Sequence, residues 1–291
     1  MKNYVCIDAE GVIGMEDNLK KIFGTYEIPD EIVKLYELEK ELNDIDLSLD
    51  RIGFQPCSPD FTYSITPPDL IPFASTGGGG IHFGFLTDFG TVPTLAEAPI
   101  VCVSPTNDPP IRYMASNITE FFNLVSSVPH AEMLENFWAN SDETSIQEEM
   151  KMIAEDTPAE WKSAQDKVAE HFKNKFDTQQ VKFVAALQEA KEKRMNTIIL
   201  STMDGLGVVG EDRDSTYVKF EFDRNNSDDQ LGRINDYLKN SSTVEKLAFI
   251  RDANYSFILV PDYDKEILQL VIELLESMNL HDEAYRMKIR D

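Results

Sequence analysis

Positive charge is scarce in this chain. Its 291 residues contain 27 Lys and Arg against 52 Asp and Glu, which leaves a net charge of −25 and a pI near 4.4. The first 128 residues hold 19 acids and only 7 bases. A field of this sign repels nucleic acid and anionic membranes and attracts basic partners. The composition therefore predicts a basic protein partner, no nucleic acid and no membrane; the alternative is that the charge serves solubility alone.

Long apolar runs and paired cysteines are also missing. No stretch approaches the ~18 apolar residues of a membrane-spanning helix, and the mean hydropathy is −0.31. The N-terminal stretch reaches Asp8 and Glu10 after a few apolar residues, which argues against a secretory signal. Cys6, Cys57 and Cys102 lie far apart among apolar neighbours, as reduced buried thiols do. We expect a cytoplasmic location.

Residue combinations that carry catalysis are sparse. Four scattered histidines have no zinc-binding spacing and no well-placed Ser or Cys partner. Gly77–Gly80 lacks the Lys and Ser/Thr of a phosphate-binding loop. Gly205–Gly210 spells a dinucleotide-binding fingerprint, but carboxylates and a predicted strand follow it where a helix is required. These motifs predict no enzyme, no metal and no cofactor.

One pair of carboxylates leaves an alternative open. Asp8 and Glu10 follow a short apolar run in a pattern similar to the first metal-binding motif of DEDD-type exonucleases, whose carboxylates hold two Mg²⁺ ions. The later Asp motifs of such a site are not evident, and His281 is a poor general base. A metal-dependent nuclease using Asp8 and Glu10 is therefore the second alternative to a binding protein.

Short strands are predicted between residues 70 and 115. The apolar runs 70–75, 81–86, 99–103 and 111–114 are separated by gaps rich in Gly, Pro, Asn and Asp. Gly77–Gly80 permit positive φ in the first of these turns. A helix follows, and Asn117 and Glu120 form a capping box at its start.

A helix is also predicted ahead of the strands, over residues 29–43. Glutamates occupy one face of it, and apolar residues recur at helical spacing on the other: Ile28, Ile32, Leu35, Leu38 and Leu42. Four prolines between residues 56 and 68 indicate turns and edge strands in the link between this helix and the predicted strands.

The order of these elements resembles the SUKH superfamily of SMI/KNR-type domains, over about residues 17–127. Ile28-Pro29-Asp30 stands where its members begin their first helix, and Gly77–Gly80 with Phe83-Gly84-Phe85 at their glycine-marked turn and next strand. Phe121-Phe122 matches the aromatic pair of their closing helix. The resemblance implies an N-terminal helix packed on an antiparallel sheet, and a binding function without catalysis. Most members look like bacterial immunity proteins that neutralise toxins, often nucleases; fungal relatives imply the alternative, a regulatory scaffold for an endogenous protein partner.

Beyond residue 128 the pattern changes twice. Residues 129–195 predict three or four helices, one of which begins at a capping box, Thr157 to Glu160, and buries Trp161. Residues 196–291 predict a ββαββα unit with strands at 197–201, 215–222, 245–250 and 255–260. The predicted fold class is α+β, and the predicted organisation is a SUKH-like domain (1–128), a helical segment (129–195) and a C-terminal α+β unit (196–291).

Partner binding is predicted for carboxylates and aromatic side chains of the first segment. For the aromatic residues the alternative is ordinary burial in the core. The candidates are Glu37, Glu41, Asp60, Asp69, Phe83, Phe85, Asp88, Glu97, Asp108 and Tyr113.

Overall fold

Five short strands form one antiparallel sheet in the computed structural model, which describes residues 20, 22–57, 63–140, 142–213, 216–222, 230–257 and 264–289. The strands are β1 (Gln55–Pro56), β2 (Leu70–Ser75), β3 (His82–Leu86), β4 (Ile100–Val103) and β5 (Ile111–Ala115). Each pairs with the next, so the sheet is a meander in the order β1-β2-β3-β4-β5. The predicted strands are confirmed, and β1 lies at the edge of the sheet, as its proline indicates.

The glycine turn joins β2 to β3. The backbone angle φ is positive at Gly77 (80°), Gly79 (58°) and Gly80 (71°), a region that residues with a Cβ rarely adopt. A Cβ on Gly80 would also lie 2.6 Å from the Tyr63 ring. The conformational role predicted for these glycines is confirmed.

Gly84 lies in β3 where the neighbouring strand leaves no room for a side chain. A Cβ there would be 2.7 Å from Leu70 Cγ and 2.8 Å from the Ile71 carbonyl oxygen. Because the backbone of β2 yields less easily than a side chain, Gly84→Ala is expected to lower the free energy of unfolding by about 1–3 kcal/mol. Gly78→Ala is the matched control, since nothing lies within 4 Å of a Cβ at Gly78. Equal urea midpoints for the two variants would contradict the close approach of β2 and β3.

Helices cover both faces of this sheet. Short 3₁₀ turns lie at Leu49–Ile52 and Leu95–Glu97. The helices are α1 (Asp30–Asn43), α2 (Ile118–Ser126), α3 (Glu132–Asn136), α4 (Glu143–Asp156), α5 (Ala159–Phe176), α6 (Phe183–Met195), α7 (Gln230–Asn240), α8 (Thr243–Phe257), α9 (Lys265–Ser277) and α10 (His281–Lys288). No helix among the described residues is both long and apolar enough to span a bilayer.

An aromatic cluster fills the core between the first face of the sheet and α1, α2 and α5. Phe54 lies at its centre, with its ring centroid 5.7–6.3 Å from five others. These belong to Phe73, Phe83, Phe121, Phe122 and Phe172. The predicted apolar stripe of α1 is buried against this cluster. Because Phe172 belongs to α5, this core continues past residue 128.

The second face of the sheet is buried too. Leu70, Leu86, Val101 and Val103 form one cluster there, together with Leu206 from the C-terminal part of the chain. Every residue of β3, β4 and β5 is buried. Antiparallel sheets are often exposed on one face, whereas this sheet is a middle layer between two sets of helices.

The predicted helix starts are partly confirmed. At α2, Asn117 Oδ1 accepts from the Glu120 N–H at 2.8 Å, but Glu120 Oε2 accepts from the Ser116 N–H instead of that of Asn117. The capping box at Thr157 does not form, because Thr157 ends α4 and its hydroxyl donates to a carbonyl of the preceding turn. Trp161 is 41% exposed, not buried as predicted.

The predicted ββαββα order of residues 196–291 is wrong. Strands β6 (Ile198–Leu200) and β7 (Val208–Val209) form a small antiparallel sheet, and the helices α7 to α10 follow. Residues 216–222 form no strand, and 245–250 belong to α8. Residues 247–254 of that helix are all buried, and the apolar run of a buried helix resembles that of a buried strand. The fold class, α+β, is confirmed.

Candidate functional site

Two of the predicted binding residues lie on the outer face of α1. The side chains of Glu37 and Glu41 are 49% and 58% exposed. Lys175, from α5, places its ammonium 3.3 Å from Glu37 Oε2 and 2.9 Å from Glu41 Oε1. The hydrogen bond to Glu41 is the main cause of a raised pKa for Lys175. These carboxylates are therefore accessible, but they already share an internal cation.

Other predicted carboxylates lie on separate elements. Glu97 is exposed at the end of a 3₁₀ turn, and Asp108 is exposed in the loop between β4 and β5. Asp60 lies outside the described residues, and so do Asp8 and Glu10, on which the nuclease alternative depends. Among the described residues, no group of three His, Cys, Asp or Glu side chains is arranged to hold a metal ion.

Five of the predicted binding residues are buried, which corrects the sequence analysis. Phe83 and Phe85 are 0% exposed in the aromatic core, and Tyr113 is 8% exposed on the second face of the sheet. Asp69 and Asp88 are 0% and 7% exposed. None of the five can contact a partner from solvent, because α1, α2 and α5 cover the first face of the sheet, and α6 and α8 contribute to the cover of the second.

Asp69 and Asp88 belong to a buried charge cluster around Arg251 of α8. Arg251 Nη2 lies 2.6 Å from Asp69 Oδ2 and 3.3 Å from Asp88 Oδ1, and its Nη1 lies 3.3 Å from Asp204 Oδ2. Asp88 also receives two hydrogen bonds from Arg194 of α6, at 2.6 and 2.7 Å. The cluster contains Asp69, Asp88, Asp204, Arg194 and Arg251, and each of them is at most 7% exposed.

A strained turn is fixed by the same arginines. Asp88 and Phe89, one residue beyond the end of β3, have positive φ of 47° and 55°, a conformation that costs energy in residues other than glycine. Arg194 and Arg251 hold the Asp88 carboxylate, and the Arg251 guanidinium carbon lies 4.8 Å from the Phe89 ring centroid. The cluster thus ties α6 and α8 to the end of β3.

The charges of this cluster do not balance. It contains three carboxylates and two guanidinium groups. Burial is the main cause that raises the pKa of Asp69, from 3.8 to about 6; Arg251 opposes that rise, and Asp88, Asp204 and Glu283 add to it. Because all five side chains are enclosed, the cluster serves to join the sheet to the C-terminal helices and is not a binding site.

Another exposed acidic surface of the described residues lies on residues 142–160, which we call the acidic segment. It contains seven acids and one base, Lys151. It includes all of α4, which buries only Ile146. Asp142 caps α4 by accepting from the Thr144 and Ser145 N–H groups. The remaining carboxylates of the segment lie in solvent: Glu143, Glu148, Glu149, Glu155, Asp156 and Glu160.

No family model matches this chain, and none of the curated proteins compared with it does. The resemblance to the SUKH superfamily therefore stays a prediction that depends on the motifs between residues 28 and 122.

Sequence reasoning missed Arg194, Asp204 and Arg251, and it passed over the acidic segment. A signal was present in both cases. Arg251 follows an apolar run, 247–250, and an arginine in such a run is expected to be paired when buried. A count of charges along the chain finds the excess of acids over residues 142–160. Both signals lie outside residues 17–127, the part of the sequence to which the predicted resemblance applies.

Proposed function

We propose that this protein is a non-enzymatic binding protein that takes a basic protein as its partner. By its resemblance to the SUKH superfamily, the partner is a toxin, of the nuclease type, which the complex neutralises. The active site of a nuclease is cationic because it holds phosphate groups, and an acidic surface associates with it quickly and in a salt-dependent manner.

The observation that supports the proposal is the exposure of the acidic segment. The helix α4 buries only one of its fourteen residues. Its packing therefore adds little to the stability of the folded protein, because most helical stability comes from a packed apolar face. The five exposed carboxylates of α4 raise the local negative potential on a chain whose net charge is already −25. Such a helix is suited to contact another molecule.

The test compares two variants that lose the same charge. The segment variant carries Glu148→Gln, Glu149→Gln and Asp156→Asn; the control variant carries Glu266→Gln, Glu273→Gln and Glu276→Gln on exposed positions of α9. Each protein is immobilised, exposed to an extract of the native cells at 50 mM NaCl and eluted with salt. We expect the wild type and the control to retain one basic protein at equal molar amounts, and the segment variant to retain at least fivefold less.

The retained protein is then tested for neutralisation. An equimolar amount of the wild type is expected to abolish its nuclease activity, and the segment variant is expected to need a severalfold excess. A retained protein that is acidic, or retention that is equal in both variants, would reject the proposed function.

A further inference from the structure

Met152 stands on the outer face of α4 with an unusual set of neighbours. It is 64% exposed. Residues three and four positions away are the surface neighbours of a helical side chain, and at Met152 these are Glu148, Glu149, Glu155 and Asp156. An exposed thioether is therefore surrounded by four carboxylates.

Little of this negative charge is neutralised within the protein. Lys151 Nζ lies 3.8 Å from Glu155 Oε1, and both side chains are at least two-thirds exposed, so this pair is weak. Among the described residues, Glu148, Glu149 and Asp156 make no ion pair. The neighbourhood of Met152 is thus an apolar contact point with an uncompensated negative rim.

The geometry points to a cationic amphipathic segment of a partner protein as the occupant of this surface, with a Lys or Arg side chain lying across Met152. The aliphatic stem of such a side chain covers an apolar atom while its charged head stays among polar groups, and methionine adapts its shape to what it contacts. Lys175 between Glu37 and Glu41 shows how this protein holds an ammonium group on a helix surface.

The charge of the surface selects among possible occupants. A second copy of this chain carries the same net charge of −25 and is repelled. Anionic membranes and nucleic acids are repelled for the same reason. Ile153, the residue after Met152, is 39% exposed and adds apolar area for a partner with leucine-like side chains. Trp161 at the start of α5 is 41% exposed, and the Arg51 guanidinium carbon lies 4.1 Å from its ring centroid. The inference rests on the proposed function and adds the chemistry of the partner's contact segment.

A peptide probe tests the apolar part of this surface. The probe is a fluorescein-labelled peptide of 14 residues with Lys on one face of a helix and Leu on the other, and its binding is followed by fluorescence anisotropy at 50 mM NaCl. Met152→Ser is expected to raise its Kd three- to tenfold. Met195→Ser is the matched control, because Met195 is also 64% exposed and ends a helix elsewhere; its Kd is expected to change less than twofold.

The two charge variants test the acidic part of this surface with the same peptide. The segment variant is expected to raise the Kd at least fivefold and the α9 control variant less than twofold. Equal effects of Met152→Ser and Met195→Ser, or of the two charge variants, would overturn the inference. If the native partner depends on the segment charges but not on Met152, the proposed function stands and the inference fails; if the peptide binds as expected but no native protein is retained, the proposed function fails alone.

Discussion

Replacing Arg251 with methionine is expected to lower the free energy of unfolding by about 3–5 kcal/mol, the range found when one partner of a buried ion pair is removed. Methionine keeps much of the apolar stem but leaves three carboxylates with Arg194 as the single remaining guanidinium. A loss of this size is a large part of the stability of a typical domain. Urea unfolding at pH 7.5, followed by circular dichroism, measures it.

Arg233→Met supplies the control for this change. Arg233 is exposed on the neighbouring helix α7. Within the described residues its contacts are one long hydrogen bond, to the Glu221 carbonyl at 3.3 Å, and the Phe220 ring, whose centroid lies 5.4 Å from its guanidinium carbon, so its loss is expected to cost under about 1 kcal/mol. Adding Asp69→Asn to Arg251→Met is expected to restore part of the stability, because it removes one of the buried carboxylates that lost Arg251 as a partner. An equal cost for Arg251→Met and Arg233→Met would show that the cluster does not hold the C-terminal helices to the sheet.

Local patterns predicted the first part of the fold well. The meander from β2 to β5, the glycine turn and α1 all depend on contacts between residues close in sequence, and the apolar period of each run identifies it. Asn117 is a further example, since a capping side chain reaches a backbone N–H only three residues away. These features carry their signal within a few residues.

The burial of Asp69 and Asp88 was not predicted, because the residues that surround them are distant in the sequence. Asp69 and Asp88 stand in short polar gaps next to strands, which is typical of exposed loop carboxylates. Their partner Arg251 is more than 160 residues away, and no spacing rule connects them. A different ambiguity explains the wrong prediction for α8. Its capping box, Ser242 with Glu245, is visible in the sequence, but the apolar residues after it fit a strand as well as a buried helix.

The pH dependence of stability offers the second large effect, through Asp69. Burial raises the pKa of this carboxyl from 3.8 to about 6, so between these values the folded state binds more protons than the unfolded state. The contribution of Asp69 to the free energy of unfolding therefore has its full value below pH 3.8 and is lost as the pH rises through 6. The full difference corresponds to about 3 kcal/mol, of which about half falls between pH 5 and pH 7.5.

The geometry of Asp69 makes the proton compatible with the contacts of the cluster. Its Oδ2 accepts from Arg251 at 2.6 Å, whereas its Oδ1 has no hydrogen-bond partner among the described residues. A proton on Oδ1 thus brings the cluster of three carboxylates and two guanidinium groups to neutrality without removing the contact with Arg251.

Asp69→Asn isolates this group from the general repulsion of an acidic chain. The wild type is expected to lose stability from pH 5 to pH 7.5, and Asp69→Asn is expected to lose about 1 kcal/mol less over the same range. Glu97→Gln removes one charge from an exposed position and is expected to keep the slope of the wild type. The measurement is the urea midpoint at half-unit pH steps with a constant ionic strength. Parallel curves for all three proteins would show that Asp69 ionises in the folded state as it does in the unfolded chain, and that the excess negative charge of the buried cluster is compensated by some other group.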